Sequence, residues 1–371
     1  MFEKLKIIEL ASVLAAPSVG QFFAELGAEV IKIENPKTNG DVTRSWKLPN
    51  ETNEDIEDNT ENSFSAYFSA VNWGKKSIFM DISEDENLQK LYQLIQTTDI
   101  VLVSYKFGDA EKLKVDYETL QKINPNIIYG HLTGYGTDNP KVGYDAIIQA
   151  ETGFLYMNGH ADGLPHKMPV ALVDVLAAHQ LKEAILIALL KRAYANVSVG
   201  INTPTSVYVS VSLFDAAVSA LTNQATNWLN AGHSPQRMGN EHPNIVPYGT
   251  IFTTKDAKML ILAVGTDKQF ISLCNILNIN EIAKNENFIT NAQRVKNRLI
   301  LIPILEDEIK KYDKNYLLEQ FEAKNVPAGG VNDVSEVFEM PAAKALLLAY
   351  PENENGSNFV GLRQFVGKIN F

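Results

Sequence analysis

The sequence predicts an α/β protein whose N-terminal third builds a mostly parallel sheet, and three observations carry this. Short β-rich runs alternate with helical runs across that third, which is the pattern of βαβ units. The composition, 45% hydrophobic and 21% charged, is that of a soluble globular chain able to bury a large core. The length, 371 residues, suits roughly two domains of ordinary size.

KIIEL is the first strand candidate. PSVGQFFAELG follows with helical spacing, Pro17 fitting a first turn and Gly27 an end. EVIKIE is the next strand. SIFMDI, a helix over DENLQKLYQLIQ and the strand DIVLVSY repeat the unit, and DYETLQKI with NIIYGHLTG repeats it again. Ligands of such sheets gather at the carboxyl ends of the strands. Between the second and third strands, NETNEDIEDNTENS is acidic and aperiodic, which predicts a solvated loop.

The pattern turns helical from Asp145 to Met157 and from Val175 to Ala195. The second stretch is apolar on most faces, which predicts a deeply buried helix with His179 as a core histidine. TSVYVSVS alternates as a strand. LFDAAVSALTNQATNWLNAG reads as one helix ending at Gly232, GHSPQRMGNEHPNIVPYG as a loop, and IFTTKDAKMLILAV as a hairpin turning near Lys255–Lys258. KQFISLCNIL, AQRVKNRLILIPILEDEIKKY and NYLLEQFEAK complete the helices.

A net charge of −11 makes nucleic acid and anionic membranes poor non-specific partners. A single cysteine, Cys274, lies in an apolar context that reads as core and cannot form an internal disulfide. The N-terminus lacks the apolar run of a signal peptide, and no stretch is long enough to span a membrane, so the expectation is a cytoplasmic protein.

Familiar chemistries fail one by one. The turn after the first strand, ELASVLAAPSVG, lacks the glycine triplet that brings a pyrophosphate to the backbone, although the following strand ends in an acidic residue, Glu34. No Walker loop occurs, and the six histidines lack metal-ligand spacing, so no metal is expected. Asp174 is more informative: an apolar run meets a helix at MPVALVDVLAAHQ. Aspartate there suits a helix N-cap, and an ionised carboxylate at a helix N-terminus is also a candidate covalent nucleophile.

Ten stretches in order resemble the family III CoA-transferases, the group that includes formyl-CoA and carnitine-type CoA-transferases and the 2-methylacyl-CoA racemases. They are LASVLAAPSVGQFFAELGAEVIKIENP, GDVTRSW, NWGKKSIFMDI, INPNIIYGHLTGYG, GYDAIIQAETG, PVALVDVLAAH, SLFDAAVSAL, NEHPNIVPYGTIFTT, LAVGTDKQF and VPAGGVNDVSEV. The resemblance implies a Rossmann-like large domain and a smaller α+β domain joined by long linkers, in an interlocked homodimer. The large domain would span 1–200 with 346–371 returning to it, and the small domain 222–324, with linkers at 201–221 and 325–345.

By the same resemblance Asp174 is the nucleophile. It would attack an acyl-CoA thioester, pass through a mixed anhydride to an aspartyl-CoA thioester, and hand the CoA to an acceptor acid, with backbone N–H groups of ASVLAAP holding the oxyanions. Coenzyme A, as acyl-CoA substrate, would lie against Val13, Asn35, Met80, Tyr105, Lys106 and Lys112. Racemases carry a histidine where this chain has Tyr144, and a glutamate where it has Asp267. A phenol is a poor base at neutral pH but a good donor, so Tyr144 points to transfer. The alternatives are a racemase or epimerase and a CoA-binding homologue without catalysis. This chain also departs from the family at Asn35, where an arginine is usual, and in VSYKFGDAEKL; there Lys106, Lys112 and Lys114 remain to meet phosphates.

Overall fold

The computed structural model describes residues 2–51, 65–199, 205–350 and 359–369. Most of the acidic NETNEDIEDNTENS stretch lies outside them. The chain divides into two compact units, one of Met1–Phe154, Lys167–His233 and Lys344–Phe371, the other of Leu155–His166 and Ser234–Ala343.

The first unit is built on six strands, β1 (Lys6–Leu10), β2 (Glu29–Glu34), β3 (Lys76–Phe79), β4 (Ile100–Val103), β5 (Ile128–Thr133) and β6 (Val207–Ser212). All pair in parallel, in the order β3-β2-β1-β4-β5-β6. Successive strand side chains point to opposite faces, and both faces are covered. On one, Ile7, Ile100, Leu102 and Ile128 pack with Phe22 and Phe23 of α1 (Ala15–Glu25). On the other, Ile8, Val101, Val103 and Tyr129 pack with Leu88, Leu91 and Ile95 of α2 (Asp85–Ile95) and Leu120 of α3 (Tyr117–Ile123). Ile100, Val101, Leu102 and Val103 are all fully buried, which explains why this strand reads as an unbroken apolar run.

α4 (Asp145–Glu151) and α5 (Leu172–Val199) follow β5, and α5 packs on the first face through Ala177, Ala178, Leu181, Ile185 and Ala188. Its close approach is set by Gly130, where an added Cβ would stand 3.0 Å from Ile185 Cδ1 and 3.2 Å from Leu102 Cδ2. The other face of α5 is not buried within the chain: Ile187, Leu190 and Tyr194 are 66%, 54% and 65% exposed, and His179 is exposed rather than a core histidine. The run expected as one helix after β6 is two, α6 (Leu213–Ala220) and α7 (Thr222–Ala231), broken where Thr222 takes a φ of 40°. The last segment folds back on this unit through β10 (Leu347–Ala349) and β11 (Val360–Leu362), where Gln21 donates to the Leu362 carbonyl and Phe365 meets Phe22 edge-on. Among the described residues no helix is long and apolar enough to cross a membrane.

The second unit is an antiparallel sheet of β7 (Tyr248–Thr253), β8 (Met259–Ala263) and β9 (Ala328–Gly330) with helices around its own core. The helical run after Asn291 breaks at Asn297 into α9 (Asn291–Lys296) and α10 (Arg298–Ile309), preceded by α8 (Asp267–Ile276). Cys274 is fully buried in this core, and burial pushes its thiol up to about 12, so it is inert. Arg294 is fully buried too; it pairs with Asp267 at 2.8 Å, donates to the Val246 and Phe288 carbonyls and stacks on Phe270. Asp267 is therefore engaged inside this unit by a buried guanidinium.

Candidate active site

The strand numbering reverses between β1 and β4, and a parallel sheet opens a crevice at such a switch point, beyond the carboxyl ends of its strands. A cavity of about 360 Å³ lies there. Three turns wall it: Ser12–Ala15 after β1, Ser104–Phe107 after β4, and the segment from Thr133 to Asp145 after β5. Asp174 and Leu213 close it from the helical side.

The turn after β1 is strained and anchored. Val13 has a φ of 72°, a region costly for a β-branched residue. Its N–H donates to both carboxylate oxygens of Asp41 at 3.3 Å. Asp41 in turn takes N–H and O–H bonds from Thr43 and lies 2.9 Å from the Lys32 ammonium. Lys32 also holds Glu9 at 2.9 Å, and Lys75 reaches Glu9 at 2.8 Å. All four side chains are buried. Burial opposes the charge on Lys32, but Glu9 and Asp41 outweigh it and raise its pKa. Burial likewise works against Asp41, and Lys32 more than offsets it, so Asp41 is held below the usual carboxylate range. For Lys75 burial wins and pushes the amine down to about 8. This quartet of two anions and two cations fixes the cavity turn from beneath. Glu34, the acidic end of β2, is spent likewise on a bidentate pair with Arg44, at 2.8 Å and 2.6 Å.

The opposite wall depends on a close backbone contact. Gly134 and Gly143 touch so closely that a Cβ on Gly134 would stand 2.6 Å from the Gly143 nitrogen, so neither position admits a side chain. That contact lays the segment through Tyr144 along the cavity, with Tyr144 60% exposed at its rim rather than in the core. Next to it, Asp145 begins α4 and bonds forward in the chain. Its Oδ1 accepts the Val173 N–H at 2.8 Å, and its Oδ2 accepts the Gln149 amide at 2.8 Å. Gln149, fully buried, accepts the Met168 N–H at 2.8 Å.

Asp145 is thus the carboxylate that satisfies an N–H at the start of α5. Asp174 does not cap that helix: it stands inside the first turn, with its carboxylate on the cavity wall. Burial, and next the charge of Asp145, push Asp174 up to about 7. Tyr67 shares this environment; burial and the charges of Asp174, Asp145 and Asp41 all raise its phenol.

Of the residues predicted from the sequence, the cavity gathers Asp174, Tyr144, Val13, Tyr105 and Lys106. Three stand apart from it. Asn35 is exposed and accepts the Lys37 N–H, Met80 is half-buried on the sheet face that carries α2 and α3, and Lys112 pairs with Asp109 at 2.9 Å on a solvated turn. Sequence reasoning missed Asp145, Asp41 and Lys141. The only signal for Asp145 was its adjacency to Tyr144, because its partner is 28 residues away.

A family model described as CoA-transferase family III matches residues 2–360. A succinate–glutarate CoA-transferase of Agrobacterium fabrum is 38% identical over 363 residues, covering 97% of this chain and 87% of that protein. A human succinyl-CoA:glutarate CoA-transferase is 32% identical over 342 residues, covering 91% and 73%. Among solved structures, a CAIB/BAIF family protein from Brucella suis superposes with a TM-score of 0.83 at 38% identity, covering 99% of this chain and 91% of that one. The chain belongs to CoA-transferase family III. It is an enzyme that moves CoA between an acyl-CoA thioester and a carboxylic acid.

Proposed function

We propose that the transfer runs through Asp174 as covalent carrier and that a dicarboxylic acid is one of its substrates. The observation that carries the first part is the Asp174 carboxylate, set in the first turn of α5 on the wall of the switch-point cavity and pushed up to about 7 by burial and Asp145. A carboxylate that the site desolvates only partly is ionised in useful amount at neutral pH, yet a stronger nucleophile than one in bulk water.

An oxygen of Asp174 adds to the acyl-CoA carbonyl and the C–S bond breaks, giving a mixed anhydride and CoA thiolate. The thiolate attacks the aspartyl carbonyl, forming an aspartyl-CoA thioester and releasing the first acid as its carboxylate. The second carboxylate attacks that thioester, expelling thiolate and forming a second anhydride. The thiolate then takes the new acyl group and frees Asp174. Each tetrahedral oxyanion needs fixed donors. The start of α1 supports that role: no side chain caps it, and Leu14 and Ala15 line the cavity. Tyr144, a phenol at the rim, supports transfer over abstraction of an α-proton. Val13, Tyr105 and Lys106 are the contacts proposed for the CoA arm. The substrate class rests on the names of the relatives, which act on succinate and glutarate.

We also infer a homodimer of the interlocked kind, supported by the uncovered apolar face of α5 at Ile187, Leu190 and Tyr194. The catalytic reading is tested by Asp174→Ala. Exchange of labelled CoA between two acids should vanish in that variant, and exchange at the wild-type rate would remove Asp174 from the reaction.

A further inference from the structure

Resting on that reading, we propose that Lys141 is the residue that selects a dicarboxylic substrate, by binding its non-reacting carboxylate in exchange for Glu151. The cavity wall includes two carboxylates, Asp145 and Asp174, and two lysines, Lys106 and Lys141. A substrate with a second negative charge would be repelled by the first pair unless a cation met it. Lys106 follows β4, at the side of the cavity proposed for the CoA arm. Lys141 lies instead on the rim segment that leads to Tyr144 and Asp145, four residues before the carboxylate that holds the start of α5.

The ammonium of Lys141 is already paired with a carboxylate, beside groups that do not themselves line the cavity. It lies 4.3 Å from the Tyr135 ring centroid and 2.5 Å from Glu151 Oε1, while the Tyr135 hydroxyl donates to Glu151 Oε2 at 2.8 Å. Its backbone is fixed as well: the Lys141 N–H donates to Asn139, and its carbonyl lies against Gly134. The pair with Glu151 is solvent-exposed, 49% on the lysine and 37% on the glutamate, and such pairs contribute little to stability. Exchanging one carboxylate for another therefore costs little. Glu151 keeps the Tyr135 hydroxyl, and Lys141 keeps a negative partner. The flexible four-carbon stem of the lysine lets the ammonium turn from that pair toward the cavity its residue lines.

With a monocarboxylate Lys141 simply keeps Glu151, whereas a dicarboxylate that finds no cation brings an uncompensated second charge beside Asp145 and Asp174. Glutarate and pentanoate have the same number of carbons and differ in the second carboxylate. With one acyl-CoA donor, Lys141→Met should lower kcat/KM for glutarate at least tenfold and for pentanoate less than twofold. Glu151→Gln, which weakens the hold on Lys141 without removing it, should lower KM for glutarate severalfold and leave pentanoate unchanged. Equal losses on both acids in Lys141→Met would overturn the assignment. So would a rise in KM for acyl-CoA that disappears with the 3′-dephospho donor, since Lys141 would then bind a CoA phosphate. If the wild-type enzyme transferred CoA to no acid, the transferase reading itself would fail, a result distinct from either of these.

Discussion

Replacing Asp174 by asparagine removes a carboxylate whose ionisation the fold resists, and the consequence for stability can be worked out. The group moves from an ordinary 3.8 in the unfolded chain to about 7 in the folded one. The folded state therefore holds its proton more tightly, and stability is lost as pH rises from the unfolded value through the folded one. Below about pH 3 the group is protonated in both states and costs nothing. By linkage, the penalty is about 2 kcal/mol at pH 5 and about 4 kcal/mol at pH 8, above which it levels off. Water in the open cavity screens part of this, so these are upper figures. Asp174→Asn should thus be more stable than the wild type, by a margin that grows between pH 4 and pH 7 and then stays constant, while its transferase activity is lost. Urea denaturation of both proteins at pH 5 and pH 8 measures the margin. Equal margins at the two pH values would refute the argument that burial and Asp145 raise this group.

Three further outcomes follow from the residues that hold the site. Asp145→Ala leaves the Val173 N–H without its acceptor and should cost about 1 kcal/mol in denaturant melts. Asp145→Asn removes the second cause of the Asp174 shift, so the acid limb of kcat should move to lower pH; an unmoved limb would separate Asp145 from the nucleophile. Asp41→Asn breaks a buried ion pair and releases the strained Val13 turn. It should cost on the order of 3 kcal/mol in urea melts and raise KM for acyl-CoA, and a change within 0.5 kcal/mol would mean the quartet does not anchor the cavity.

What could be read from the sequence depended on whether a residue's role is local. β4 was legible because a strand buried on both faces is apolar throughout, and α1 because Gly27 takes the positive φ that ends it. The break at Thr222 was not, since both flanking segments have helical composition. Nor was β9, whose three residues, Ala-Gly-Gly, carry no strand signal and owe their pairing to β8. α5 read as deeply buried because its surface is apolar nearly all round, yet one side faces outward in the single chain.

The same limit applied to the site. Asp174 stood out because it marks a change from extended to helical pattern. Two residues that act on it or frame it do so across long separations, Asp145 through Val173 and Asp41 through Val13. Each is an ordinary polar residue in its own neighbourhood. The charges at Glu9, Lys32, Asp41 and Lys75 would each read as surface until the fold places them together in the interior.

The most direct test uses mass. The wild-type enzyme, mixed with acyl-CoA in the absence of an acceptor acid and quenched rapidly in acid, is digested and its peptides weighed. A CoA adduct joined through a thioester to the peptide containing Asp174 should appear, and a short incubation with acceptor acid before the quench should remove it. An adduct on another residue, or full turnover through which the Asp174 peptide never changes mass, would contradict the covalent role of Asp174.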